Sequence, residues 1–336
     1  MTGKGIGQAT IRDVAREADV SVASVSRVFN RLPNVRPELK ERVEQAARKL
    51  NYVPHAGARN LSMARTGAIG VVLPDLHGEF FSEMLRGMER EAALRQRHLL
   101  LSNMHLDIGH GIEALRNMRG RVDGLIVMAP HMNLDELFAH LPPSIPAVLL
   151  NCQDNGQGRP ELRVDNVAGA RAMVRHLLDC GRRAIVHIEG PAGNIEAADR
   201  SRGYAEAMEA AGLQPVILPG NFDEESGHSA VARLQADQLD VDAIFAANDM
   251  MAIGALVALR DMGVDVPSQV AVAGFDNIPL ARLISPGLTT MAVDIADMGA
   301  RGINRLVALI DGEAVPQMEL RQPGLIIRTS SQLSAA

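Results

Sequence analysis

The stretch Thr10–Asn30, TIRDVAREADVSVASVSRVFN, decides how this chain reads. Ile11, Val14, Ala15 and Ala18 recur at i, i+3, i+4 and i+7, one face of a helix, and Thr10 stands at its N-cap with Asp13 three residues on. After a break at Asp19 and Val20, Ser21 is placed to cap a second helix, whose Val22, Val25, Val28 and Phe29 can pack on the first. Two short helices about a tight turn make a helix-turn-helix. The second opens with small side chains, Val22, Ala23 and Ser24, at the end that would enter a major groove, and carries Arg27 one turn further on. As geometry alone, the pattern also fits a buried helical hairpin in a larger α-helical domain.

Charge is distributed unevenly around this stretch. Residues 1–66 hold 12 Lys/Arg and 6 Asp/Glu, a net +6, whereas the remainder holds 22 and 34, a net −12, together the chain's −6. A basic segment on an acidic body points to a polyanionic partner for that segment only. At 336 residues and 47% hydrophobic content, two or three globular domains are expected. The two cysteines, Cys152 and Cys180, lack metal-ligand spacing and suit a reducing compartment. Neither a secretory leader nor an apolar run of about 20 residues is visible, so the expected location is the cytoplasm, associated with the nucleoid, with no membrane partner.

Residues 10–30 resemble the DNA-binding headpiece of the lactose/galactose repressor family, whose pattern T-x-x-D-V-A-x-x-A-G-V-S-x-x-T-V-S-R-V-x-N is matched nearly throughout. Asp19 replaces the usual Gly and Ser24 the usual Thr; Asp tolerates a left-handed turn better than most side chains. A third helix is expected from Pro37 to about Leu50, with Arg36 where a small polar cap is usual. Asn51–Gly67 resembles the family's hinge, in which Leu61 would act as a minor-groove wedge. Two turns containing Gly57 are too short to be helical alone, so this segment would order only when paired across a dimer on DNA. The resemblance implies DNA contacts from Thr10, Ser21, Val22, Ala23, Ser24, Arg27, Asn30 and Leu61.

From Ala68 onward, short apolar runs alternate with amphipathic helices. Strands are expected at 68–73, 98–102, 124–128, 147–150, 184–188, 216–218, 243–246 and 270–273, and helices at 79–95, 167–179, 199–211, 226–235, 249–262 and 294–311. Such alternation gives parallel sheets covered by helices, here two units of about four or five strands each, with ligands at the carboxyl ends of strands. The resemblance continues through Val164-Asp165-Asn166, Arg200-x-x-Gly203-Tyr204, Ala247-Asn248-Asp249 and Gly274-Phe275-Asp276, and so covers nearly the whole chain. The fold class it implies is α/β: an all-α helix-turn-helix headpiece (8–53), a hinge helix and linker (54–66), and a two-lobed periplasmic-binding-protein-like domain with parallel sheets (67–329). Lobe one would comprise 67–163 and 293–326, and lobe two 164–292 and 327–329.

By the same resemblance, Arg200, Asn248 and Asp276 would be polar effector contacts and Phe222 a stacking platform with Phe80 on the facing wall; Asp75 and Asn151, which follow strand ends in the first lobe, are further candidates. Arg and Asp together suit sugar hydroxyls. Alternatively, Asn248 and Asp276 act as caps and Arg200 as an ion-pair partner. His105, Asp107 and His110 read as a loop without further metal ligands, and Gly190–Gly193 lacks the Lys-Ser/Thr ending of a phosphate cradle. No catalytic constellation and no cofactor or metal site is expected. The implied protein is a dimeric regulator of a palindromic operator, answering to a small sugar; a purine or phosphorylated co-repressor is the alternative, and a sugar-transport component would leave residues 10–63 unexplained.

Overall fold

A computed structural model of the chain describes residues 9–29, 35–52, 65–140, 144–152 and 158–332. Asn30, Gly57, Leu61 and most of the hinge lie outside the described residues. The chain divides into two compact units after Gly67, Gly120–Val122 grouping with the first.

In the first unit, α1 (Ile11–Glu17), α2 (Val22–Phe29) and α3 (Pro37–Lys49) surround Val14, Val25 and Val43, each fully buried. Thr10 donates from its backbone N (3.0 Å) and Oγ1 (2.7 Å) to Asp13 Oδ2, so the first helix starts where the cap pattern puts it. Asp19 takes φ 50°, the left-handed turn that Gly would otherwise supply. Arg42 Nη2 donates to the Ala18 and Asp19 carbonyls (2.6 and 3.1 Å), covering acceptors that the end of α1 leaves open. Arg36 makes no side-chain cap for α3, and Pro37 at N1 starts that helix instead.

The second unit runs β1 (Ala68–Leu73), α4 (Glu79–Leu94), β2 (His98–Asn103), α5 (Ile108–Met118), β3 (Gly124–Met128), α6 (Leu134–Phe138), β4 (Ala147–Leu150), β5 (Glu161–Val164), α7 (Asn166–Asp179), β6 (Ile185–Ile188), α8 (Ile195–Ala210), β7 (Val216–Leu218), α9 (Glu224–Ala236), β8 (Ala243–Ala246), α10 (Asp249–Asp261), β9 (Ala271–Ala273), β10 (Thr290–Ala292), α11 (Ile295–Ile310), β11 (Met318–Arg321) and β12 (Gly324–Ile326). Two parallel sheets result, ordered β11-β5-β4-β3-β1-β2 and β7-β6-β8-β9, with β10 and β12 paired antiparallel. The first lobe passes to the second after β5 and regains α11 and β11 after β10. Strands β3, β4, β6 and β8 are buried along their length and apolar but for His187 on β6, whose Nδ1 lies 2.8 Å from the Phe245 carbonyl oxygen, as suits parallel strands covered on both sides.

The first sheet holds six strands rather than the expected four or five. Its extra members, β5 (ELRV) and β11 (MELR), mix charged and apolar residues because they form and flank the sheet edge, so no apolar run marks them. The segment read as a loop with two histidines includes the start of α5: Asp107 Oδ1 caps it through His110 N at 2.9 Å. Helix α8 begins four residues before the expected 199, because Asn194 Oδ1 accepts from the amides of Glu196 (2.9 Å) and Ala197 (3.1 Å).

Candidate functional sites: a headpiece surface and an interlobe cleft

On α2, burial of Val25 and Val28 turns the opposite face outward, with Val22, Ala23 and Arg27 exposed. Val22 is 42% exposed at the very start of the helix, where contact with water stabilises nothing. Ser21 Oγ accepts from Ser24 N (3.1 Å) and lies 2.9 Å from Ser24 Oγ, so these two serines fix the helix start beside the exposed pair. Thr10, also exposed, is tied to Asp13 as described.

Between the lobes of the second unit lies a cleft of about 370 Å³, within the range of small-molecule sites. Asp75, Phe222, Asn248 and Asp276 follow β1, β7, β8 and β9 at their carboxyl ends and line it together with Phe80 and Arg200. Arg200 is 3% exposed: its Nε donates to Asn166 Oδ1 (2.8 Å) and Nη1 to the Ala247 carbonyl (2.6 Å), while Nη2 faces Asp276 Oδ1 (3.2 Å) and Glu196 Oε1 (3.6 Å) as an ion pair. Its carbon centre sits 4.0 Å from the Phe275 ring centroid and 5.9 Å from that of Phe222. The Phe222 ring occupies the space a Cβ at Gly190 would need, within 2.4 Å, so the rim connector holds this ring against the cleft wall.

The two lobes touch at the cleft floor through Ile195 N to the Pro130 carbonyl (2.9 Å) and Asn151 Nδ2 to Glu196 Oε1 (2.7 Å). Beneath, Asp249 is fully buried and accepts from Thr290 Oγ1 (2.6 Å) and Ile278 N (2.9 Å), joining the loop after β9 to β10. Burial raises all three acids. Glu196 is pushed up to about 7, with Arg200 pulling it back and Asp276 and Asp199 adding to the rise. Asp276 is pushed up to about 6, again against the pull of Arg200. Burial, then the neighbouring Asp276, drives Asp249 well above the usual carboxylate range.

These rises give a pH prediction. A carboxyl raised in the folded chain holds its proton longer there than in the unfolded chain, so its stabilising contribution is full below about pH 4 and is lost as pH climbs through 6 and 7. Glu196→Gln should therefore flatten the fall in melting temperature between pH 5 and 8, a comparison that cancels the opposite trend of the lowered Asp75 and Asp223. Parallel wild-type and variant melting curves across that window would contradict it.

The pattern of "Bacterial regulatory proteins, lacI family" matches residues 10–55, and that of "Periplasmic binding protein-like domain" matches residues 174–331. Catabolite control protein A of Priestia megaterium is 33% identical over 94% of this chain and 96% of its own, and the ribose operon repressor of Halalkalibacterium halodurans 34% over 96% and 97%. The chain belongs to the lacI family of bacterial regulatory proteins. HTH-type transcriptional repressor PurR of Pasteurella multocida is also similar, at 30% identity over 96% of this chain and 98% of its own. Among solved structures, the lac repressor dimer bound to operator and the anti-inducer ONPF superposes with a TM-score of 0.87 at 27% identity, over 96% of this chain and 99% of that one. The two-lobed fold expected from the sequence is thus that of this family.

Within that frame the cleft residues hold different positions. Arg200, Phe222, Asn248, Asp276, Asp75 and Phe80 converge on one cavity, whereas Asn151 reaches it only through Glu196, its Oδ1 accepting from Val164 N (3.1 Å). Asn248 also caps α10 through Met251 N (2.9 Å) and donates to the Phe222 carbonyl (2.8 Å). Asp75 accepts from the Leu76 and His77 amides and pairs with His77 Nδ1 at 2.8 Å. Sequence reading missed Glu196 and Asn194, both on the cleft wall. The available signal was Asn194 as an N-cap followed by Glu196 and Arg200 at i and i+4, one helix face. Among the described residues no helix is long and apolar enough to cross a membrane.

Proposed function

We propose that this chain is a ligand-responsive transcriptional repressor, binding a palindromic operator as a homodimer with an affinity controlled by a small sugar or sugar derivative. The observation that carries the DNA-binding half is the exposure of Val22 and Ala23 at the start of α2, beside serines that fix the helix end. Symmetric dimers present two copies of such a helix, so the site mirrors the symmetry. Thr10, Ser21, Ser24 and Arg27 hold or flank the reading residues; Asn30 and Leu61 enter by resemblance alone. The relatives' names, ribose operon repressor and catabolite control protein, support a carbohydrate-linked role. Binding to chromosomal DNA places the protein in the cytoplasm, and the cleft serves recognition rather than catalysis.

Selection from random DNA tests this half. Exchanging Val22 and Ala23 for each other should change the preferred base sequence, while Arg27→Ala should cost ~1–3 kcal/mol and relax one position if it reads a base. An unchanged motif after the exchange would remove these residues from the reading surface. For the effector, a thermal-shift screen of the full chain against sugars and nucleobases applies, since a ligand at 100 times its Kd adds about 2.7 kcal/mol. A response to purines alone would favour the co-repressor reading that similarity to PurR supports.

A further inference from the structure

The cleft is acidic around a single guanidinium. Asp75, Glu79, Glu196, Asp223, Glu224 and Asp276 line it, and among the described residues Arg200 is its one lysine or arginine. That guanidinium is already committed to Asn166, Ala247 and the two buried acids, so it has little left to offer an anionic ligand.

The buried acids, in contrast, are short of donors. Asp276 is 5% exposed, yet its Oδ1 accepts no well-directed hydrogen bond; the 3.2 Å approach of Arg200 Nη2 is ionic only. Glu196, 6% exposed, accepts at Oε1 from Asn151 Nδ2, and its Oε2 takes no hydrogen bond among the described residues. Two buried carboxyls thus share one cation at the cleft floor, an imbalance relieved either by a proton on one of them or by further positive charge. Aromatic faces stand nearby, Phe80 on one wall and Phe222 on the other, and both attract cations.

We propose that the effector carries a protonated amine, as an amino sugar does, and that Asp276 and Glu196 receive it. The ammonium supplies up to three donors to oxygens that have none and balances the second carboxylate. A phosphate or carboxylate in the same place would face the acidic lining with only the Nη2 of Arg200 to receive it, a cation already shared between two carboxyls. A neutral sugar would supply hydroxyl donors but leave the charge imbalance in place. This proposal rests on the cleft being the effector site, and the test separates the two.

Isothermal titration of the full chain at one pH would use D-glucosamine, D-galactosamine and D-mannosamine, each beside its neutral parent, its N-acetyl derivative and its 6-phosphate. At least one amine should bind about tenfold or more tighter than its N-acetyl derivative, the size of one charged hydrogen bond. That advantage should shrink in Glu196→Gln and Asp276→Asn, whose melting curves establish that they are folded. Tighter binding of a parent sugar or a phosphate, abolished by Asp276→Asn, would overturn the amine and keep the cleft. Binding of any compound that is unchanged in both Asp276→Asn and Phe222→Ala would overturn the cleft itself. Failure of all three amines to bind would overturn the proposal.

Discussion

Replacing Arg200 by Ala should destabilise the second unit by ~3–5 kcal/mol, the cost of removing one partner from a buried ionic cluster. The magnitude follows from what the side chain does. Its three nitrogens hold the Asn166 side chain, the Ala247 carbonyl and the Asp276 carboxyl, and its plane lies 4.0 Å from the Phe275 ring centroid. Without it, Asp276 and Glu196 remain buried with no cation, and both must take up protons to stay folded. Their titration would move further upward, so the variant should lose more stability than the wild type between neutral pH and pH 8. A melting temperature lower by on the order of 10 °C is expected for such a loss in a domain of this size. Combining the change with Glu196→Gln and Asp276→Asn should recover part of the loss, since a neutral cluster needs no counter-charge. A loss below about 1 kcal/mol would mean that the cluster behaves as a solvated surface pair.

This cluster marks where sequence reading stopped. Arg200, Asn248 and Asp276 were expected at the cleft through the family resemblance, and Asn248 and Asp276 also because they follow strands whose apolar runs are clear, strand ends being where parallel sheets present polar groups. Glu196 was not. Its helix has weak amphipathic contrast, carrying Glu196 and Arg200 on the buried side beside Ala197 and Tyr204, so the apolar pattern did not extend back to Ile195. Only the partners make those charges tolerable inside, and the partners come from just past β4, from α7 and from the loop after β9, separated by 34 to 76 residues from Arg200 or 45 from Glu196. The same limit hid β5 and β11, whose pairing across some 157 residues is what makes ELRV and MELR strands. In the headpiece the caps and turns are set by neighbours within three residues, and there Thr10, Asp19 and Ser21 take the cap and turn roles that their side chains favour.

Gly87→Ala should destabilise the first lobe by roughly 2–3 kcal/mol and weaken effector binding with it. An Ala at this position would put its Cβ 1.8 Å from the Ala296 carbonyl oxygen and 2.6 Å from its carbon, both backbone atoms that cannot rotate away. The reverse contact is equally close, a Cβ at Gly299 meeting the Met84 carbonyl oxygen at 2.4 Å, so α4 and α11 cross with backbone against backbone. Helix propensity runs the other way, since Ala in a helix is favoured over Gly by up to ~1 kcal/mol. Overpacking outweighs it here because ordinary contact requires the helices to part by about 1.5 Å along a seam lined by Met84, Met88, Met298 and Ile303, all fully buried. Functionally, α4 carries Phe80 and Phe81 in its first turn, and a shift of α4 carries the cleft wall with it. Gly302→Ala provides the contrast on the same helix α11: its Cβ would meet Ile126 and Leu150 at 3.4–3.8 Å, ordinary van der Waals contact, so propensity should prevail and stability rise by up to ~1 kcal/mol. Opposite signs for the two substitutions in urea unfolding are the expected result, whereas a stable Gly87→Ala protein would show that the two helices do not cross as closely as described.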